Sequence, residues 1–207
     1  MNNPEKPSFE KFLRKAFKEP LNRLGGALLR VGIRPNHITF LGLAGSLVAA
    51  ILAGQGHLLA AGLVLVFFAP LDALDGAMAR LMGKPRPFGG FLDSVVDRYE
   101  ELLMLGGLLV FFLARGNTAG VLLSYAAAAG SVLVSYTRAR AESAGFNGKV
   151  GLLTRVERSI LIILGLIAGY PIVSVGIIAV LGNFTAIQRF VSVWKQSRES
   201  VENQTQE

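Results

Sequence analysis

The sequence predicts an all-α integral membrane protein: a six-helix bundle with an N-terminal interfacial amphipathic helix. Composition is the first observation behind this. Hydrophobic residues make up 52% of the 207 and charged residues only 17%, against roughly 25% charged in an ordinary soluble domain. The second is a series of apolar runs long enough, or nearly so, to cross a bilayer, which takes about 20 mostly apolar residues. The third is the asymmetry of the positive charge: of 21 Lys and Arg residues only Arg115 falls on the sparse side of these runs. The net charge of +7 therefore reads as positive-inside anchoring and not as a nucleic-acid surface. With no cysteine in the chain, disulfides, thiolate nucleophiles and thiolate metal sites are excluded.

In chain order, Phe9, Phe12, Leu13, Ala16 and Phe17 recur at helical spacing with Lys11, Arg14, Lys15 and Lys18 opposite. That pattern is a basic amphipathic helix lying at the membrane surface, over about 8–31. Pro20 and Gly25-Gly26 are expected to bend or break it. Six spans follow at about 38–53, 58–74, 91–113, 119–137, 160–170 and 172–190. Short, nearly uncharged connections at Gly54–His57, Arg115–Asn117 and Gly169–Pro171 face one side, and the basic connections face the other. Both termini are thus expected in the cytoplasm and the chain in the cell membrane. The domains expected are an interfacial segment (1–37), a six-span membrane domain (38–194) and a polar C-terminal tail (195–207), its last ten residues loose.

Asp72, Asp75, Asp93 and Asp97 sit at or inside span ends. A charge in the bilayer core costs about 2.5–3.5 kcal/mol on insertion scales, and four neighbouring acids repel one another, so something positive must gather them. Asp72 and Asp75 are i and i+3, Asp93 and Asp97 are i and i+4, and each pair shares one helix face. Antiparallel spans joined by a cytoplasmic loop let the faces oppose, giving an all-oxygen pocket for hard divalent cations such as Mg²⁺ or Mn²⁺. The competing reading pairs the acids with Arg80 and Arg98, which would explain one acid more easily than four at matched spacings. Gly76 leaves space for a bulky anion, Ala79 keeps the wall small, and Arg80 offers a planar guanidinium for phosphate. Lys84 and Arg86 add basic side chains in the following loop.

The run Asp72-x2-Asp75-Gly76-x2-Ala79-Arg80-x8-Gly89-x3-Asp93-x3-Asp97 resembles the signature of the CDP-alcohol phosphotransferases. The resemblance implies a six-helix membrane fold, two metal ions on the four Asp, a CDP-linked lipid donor, Asp97 as general base, and a homodimer. It also implies that Asn36, His37, Ile38 and Thr39 join Gly76, Ala79, Arg80 and Arg86 at the donor.

A second basic group spans Arg138, Arg140, Arg155 and Arg158, and Arg189 lies inside the last span. Guanidiniums around a cavity suit an acceptor that already carries phosphate, a phosphorylated polyol, although Arg140 and Arg155 read equally well as anchoring charges. The stretch 135–158, with Gln188-Arg189, resembles the inositol-phosphate-using branch of the family, the phosphatidylinositol-phosphate synthases of actinobacteria and their archaeal relatives. That implies inositol 1-phosphate held by Arg138, Arg158 and Arg189. The chain departs from the branch at Arg138, where Lys is expected, and at Arg86, where a small hydroxyl residue is expected. Phosphatidylglycerophosphate synthesis from glycerol 3-phosphate is the alternative chemistry. Cation transport through the intramembrane Asp is a remote one, since it would need charges along a crossing path.

Overall fold

The computed structural model describes residues 18–83 and 87–205. Among them the protein forms eight helices: α1 (Lys18–Arg30), α2 (Pro35–Gln55), α3 (Leu58–Phe68), α4 (Leu71–Leu81), α5 (Pro87–Leu113), α6 (Thr118–Ser143), α7 (Arg155–Ala168) and α8 (Pro171–Thr205). Four stretches are long and apolar enough to cross a membrane: Pro35–Gln55, Leu58–Leu81, Thr118–Ser143 and Pro171–Glu199. The all-helical expectation holds throughout the described residues. The amphipathic pattern at Phe9–Phe17, and Lys84 and Arg86, lie outside them.

Several boundaries differ from the sequence reading for identifiable reasons. α1 runs unbroken through Gly25-Gly26. Pro20 is likewise accommodated within it. Gly25 is buried, and a Cβ there would lie 2.9 Å from Met78 Cγ, so the glycine serves close packing of α1 on α4. Leu21, Leu28, Leu29 and Ile33 close around Ile38, Leu74 and Met78 at that contact. The second expected span is divided at Ala69-Pro70 into α3 and α4. Pro70 has no N–H and its ring crowds the carbonyl one turn back, which ends α3. The new helix starts on the Pro70 carbonyl, which accepts from the N–H of Ala73 at 3.1 Å and of Leu74 at 3.2 Å. α8 continues into the polar tail as far as Thr205.

α2, α3, α5, α6, α7 and α8 surround one core built on Leu65, Met104, Leu108, Phe112, Ile162, Leu166 and Ile178. Helix pairs approach closely at glycines. A Cβ at Gly107 of α5 would meet the Ala50 backbone of α2, and one at Gly130 of α6 would sit 2.9 Å from the Asn183 backbone nitrogen of α8. The Gly165-x3-Gly169 pair works within the chain: Gly165 accommodates Ser174 of α8, and Gly169 adopts φ 76° to end α7. α2 packs on both α4 and α5, and side chains from the start of α7 reach α5 through Arg155–Glu100 and Arg158–Glu101, which gathers the acids and arginines of the site.

Candidate active site

The site is assembled from residues of α2, α4, α5 and α7. Pro35 takes the first position of α2, and His37 Nδ1 accepts from the Arg34 N–H at 3.4 Å, so the chain entering α2 is shaped by its own first turn. One turn on, the buried Thr39 hydroxyl lies 2.5 Å from Asp75 Oδ2 and 3.2 Å from the Pro35 carbonyl. Its single proton goes to the nearer carboxylate. Asp72 lies in the first turn of α4, where the helix dipole favours an acid. On α5, Asp93, Asp97 and Glu100 follow at i, i+4 and i+7, one continuous stripe.

The four expected aspartates are electrostatic neighbours. Asp75 feels the charges of Asp93 and Asp72, and Asp97 feels those of Asp93 and Asp72. Asp72, Asp97 and Glu100 present carboxylate oxygens within 4.8 Å of one another. Glu100 is the member that the sequence reading missed. It is buried, and its Oε1 has no hydrogen-bond partner, an open acceptor in a place where burial is costly. Gly42 makes its space: a Cβ there would lie 2.9 Å from Glu100 Oε1 and 3.6 Å from Asp72 Oδ1. A donor set made wholly of carboxylate oxygens, one of them unpartnered, fits a hard divalent cation.

Arg155 occupies the centre of this group. Its Nη2 lies 2.7 Å from Asp72 Oδ2 and 2.8 Å from Glu100 Oε2, and its Nη1 lies 2.7 Å from Asp97 Oδ1. The sequence reading placed Arg155 with the acceptor arginines or the anchoring charges. The structure corrects this, because the first turn of α7 packs over the acid face of α5. Arg98 makes the longer contact to Asp97 that the competing reading foresaw, at 3.5 Å, but no ion pair of Arg80 with these acids is found among the described residues.

Beside the acids lies a cavity of about 660 Å³, lined by Arg34, Asn36, His37, Thr39, Asp75, Gly76, Ala79, Arg80 and Asp93 among others. This gathers all the described residues expected at the donor except Ile38, whose side chain packs into the α1–α4 core with Leu74 and Met78. Arg34, unforeseen, adds a second guanidinium to the wall.

Of the three arginines expected at an acceptor phosphate, Arg189 lies within electrostatic reach of both Arg138 and Arg158. Their bonding differs. Arg158, only 1% exposed, is held by Glu101 through Nε at 2.5 Å and Nη2 at 2.9 Å, with Nη1 donating to the Leu153 carbonyl at 3.2 Å. Buried Arg189 donates through Nε to the Val150 carbonyl at 2.7 Å and through Nη1 to that of Val134. Arg138 is exposed and pairs with Glu142 at 3.0 Å.

A helical, membrane-suited scaffold that places an acid cluster against an arginine-edged cavity suits a transferase acting on phosphate groups. The family model for CDP-alcohol phosphatidyltransferase matches residues 33–194, and the chain belongs to that family. It is 37% identical over 185 residues to the archaetidylinositol phosphate synthase of Pyrococcus horikoshii, covering 89% of this chain and 96% of that one. It is 38% identical over 156 residues to the phosphatidylinositol phosphate synthase of Mycobacteroides abscessus, covering 74% and 71%. The crystal structure of the phosphatidylinositol phosphate synthase of Mycobacterium tuberculosis with CDP-DAG bound superimposes with a TM-score of 0.77 at 33% identity, over 84% of this chain and 93% of that one. The same enzyme in complex with manganese and citrate also gives a TM-score of 0.77, over 84% and 88%.

Proposed function

We propose that this protein transfers the phosphatidyl group of CDP-diacylglycerol, or the corresponding group of an archaeal CDP-ether lipid, to inositol 1-phosphate with release of CMP. The observation that carries this reading is a shared wall. Asp75 and Asp93 line the 660 Å³ cavity beside Arg34 and Arg80 and are electrostatic neighbours of Asp72. A nucleotide headgroup in a cavity of that size would lay its phosphates against the carboxylates. The names of the relatives described above, archaetidylinositol phosphate synthase and phosphatidylinositol phosphate synthase, support the acceptor.

In this reading Asp72, Asp75, Asp93 and Asp97, with Glu100 beside them, hold two divalent ions, Mg²⁺ or Mn²⁺, which when bound neutralise the donor pyrophosphate and polarise the phosphorus under attack. Arg80 and Arg34 hold the nucleotide phosphates from the cavity edge. Gly76 and Ala79 leave the helix surface low enough for their approach, with Asn36 and His37 at the opening, Ile38 backing the wall from the core, and Arg86 in the adjoining loop. Thr39 keeps Asp75 turned toward the cavity. Asp97 accepts the proton of the acceptor hydroxyl, whose oxygen bonds to phosphorus as the bond to CMP breaks and its electron pair leaves with CMP. Arg138, Arg158 and Arg189 receive the acceptor phosphate.

The membrane arrangement proposed with it counts six crossings: α2, α3–α4, α5, α6, α7 and α8. Both termini and the site face the cytoplasm, and α1 continues an interfacial helix within segment 1–37. The catalytic domain is 38–194, followed by the tail 195–207, and the enzyme is a homodimer. The test is CMP release by purified protein given CDP-diacylglycerol and a panel of acceptors. Inositol 1-phosphate is expected to be fastest; a faster rate with glycerol 3-phosphate would reassign the acceptor, and one with free inositol or serine would remove the phosphate pocket.

A further inference from the structure

The guanidinium of Arg155 touches Asp72, Asp97 and Glu100 at 2.7–2.8 Å, and these are the acids whose oxygens come within 4.8 Å of one another. It therefore stands where gathered carboxylates require a positive charge. Nη1 and Nη2 engage one oxygen of each of the three carboxylates, oxygens that a divalent ion would need at about 2.0–2.6 Å. A guanidinium donating to these oxygens and an ion bound on them compete for the same lone pairs and repel each other as like charges. We infer that Arg155 is a tethered counter-ion, which holds the acid cleft together in the metal-free protein and is displaced when a divalent ion enters.

Three features equip Arg155 for this exchange. Its backbone is fixed: Thr154 caps α7, and its N–H donates to Glu157 Oε2 at 2.7 Å, so the exchange needs only the side chain to swing. The side chain is 28% exposed, which leaves it a way out. The neighbouring rung stays closed, because Arg158 one turn later is buried against Glu101 and keeps α7 on α5 while Arg155 moves. The unpartnered Oε1 of Glu100 is a further acceptor for the arriving ion, which the guanidinium does not use.

An internal competitor lowers apparent affinity by the fraction of molecules in which the site is open. This inference rests on the metal-centre reading above, and the test separates the two. Mn²⁺ binding is measured without substrate, by the loss of free Mn²⁺ resonance signal, on detergent-purified wild type, Arg155→Gln and Arg155→Lys. Thermal midpoints are taken in chelator and in Mn²⁺. Arg155→Gln is expected to bind Mn²⁺ at least tenfold more tightly than wild type, with a midpoint lowered in chelator and restored by Mn²⁺. Arg155→Lys, which keeps the charge but loses the fork, is expected to fall between. Equal or weaker binding by Arg155→Gln would overturn the counter-ion role, and no binding by any of the proteins would overturn the metal centre with it. The wild type gives a reading that does not depend on a folded variant: phenylglyoxal should modify Arg155 faster in Mn²⁺ than in chelator, followed by peptide mass. An unchanged rate would overturn the inference.

Discussion

Thr39 and Asp75, 36 positions apart in the chain, meet through a buried hydrogen bond of 2.5 Å that ties the second turn of α2 to α4. The same two residues line the candidate donor cavity, so the bond sets the direction of a carboxylate at its wall. Replacing the hydroxyl tests that coupling. Thr39→Val is expected to lower the rate of CMP release about tenfold or more, since hydrogen bonds to charged groups contribute roughly 1.5–3 kcal/mol, while Thr39→Ser keeps most of the rate. Steady-state kinetics with CDP-diacylglycerol varied would show it, and equal rates in wild type and Thr39→Val would make the bond incidental.

Asp72→Asn and Asp93→Asn remove charge with little change of volume. Each is expected to reduce CMP release by more than the roughly 10–100-fold typical of a metal's outer partners, and chelator should abolish wild-type activity until a divalent ion is restored. Membrane fractionation and gel filtration should show both variants inserted and monodisperse. Full activity in either variant would remove the metal centre.

Gly42 gives a steric version of the same test. An added methyl would stand 2.9 Å from Glu100 Oε1, inside contact distance of a carboxylate already held by Arg155. Gly42→Ala is expected to weaken Mn²⁺ binding and raise the Mn²⁺ concentration for half-maximal activity severalfold. An unaltered Mn²⁺ requirement would mean that the carboxylate yields freely.

Of the acceptor arginines, Arg138 allows the cleanest measurement. Its pairing with Glu142 is exposed and contributes at most about 1 kcal/mol, so Arg138→Gln should leave the thermal midpoint nearly unchanged. The acceptor KM should rise roughly tenfold to a hundredfold, as expected when one charge-assisted hydrogen bond is removed, with the KM for CDP-lipid unaltered. Arg158→Gln should instead destabilise the fold, since breaking a buried pair costs about 3–5 kcal/mol. A normal midpoint for that variant would show that Glu101 is satisfied without it.

The acid pairs were legible because helical periodicity converts i, i+3 and i, i+4 spacing directly into a shared face, and the cost of a charge in an apolar run marks them. The same logic, carried one turn beyond Asp97, would have reached Glu100. Arg155 was legible only as a charge near a span end. Its partners lie more than 50 positions away and depend on how α7 packs against α5, which no local pattern encodes. Gly25-Gly26 misled for a related reason: glycine's low helix propensity was outweighed by the close approach of α1 to Met78 that only a small residue permits. The division at Pro70 was readable from proline chemistry, but a continuous apolar run on its N-terminal side concealed it.

That division has a mechanical consequence. With the hydrogen-bond ladder cut at Pro70, α3 and α4 do not form one rigid rod. The half that carries Asp72 and Asp75 is held by the Thr39 hydroxyl on Asp75 and by the α1 leucines packed on Leu74 and Met78. The break lets α4 take its direction from α1 and α2, and α3 take its own from α2 and α7.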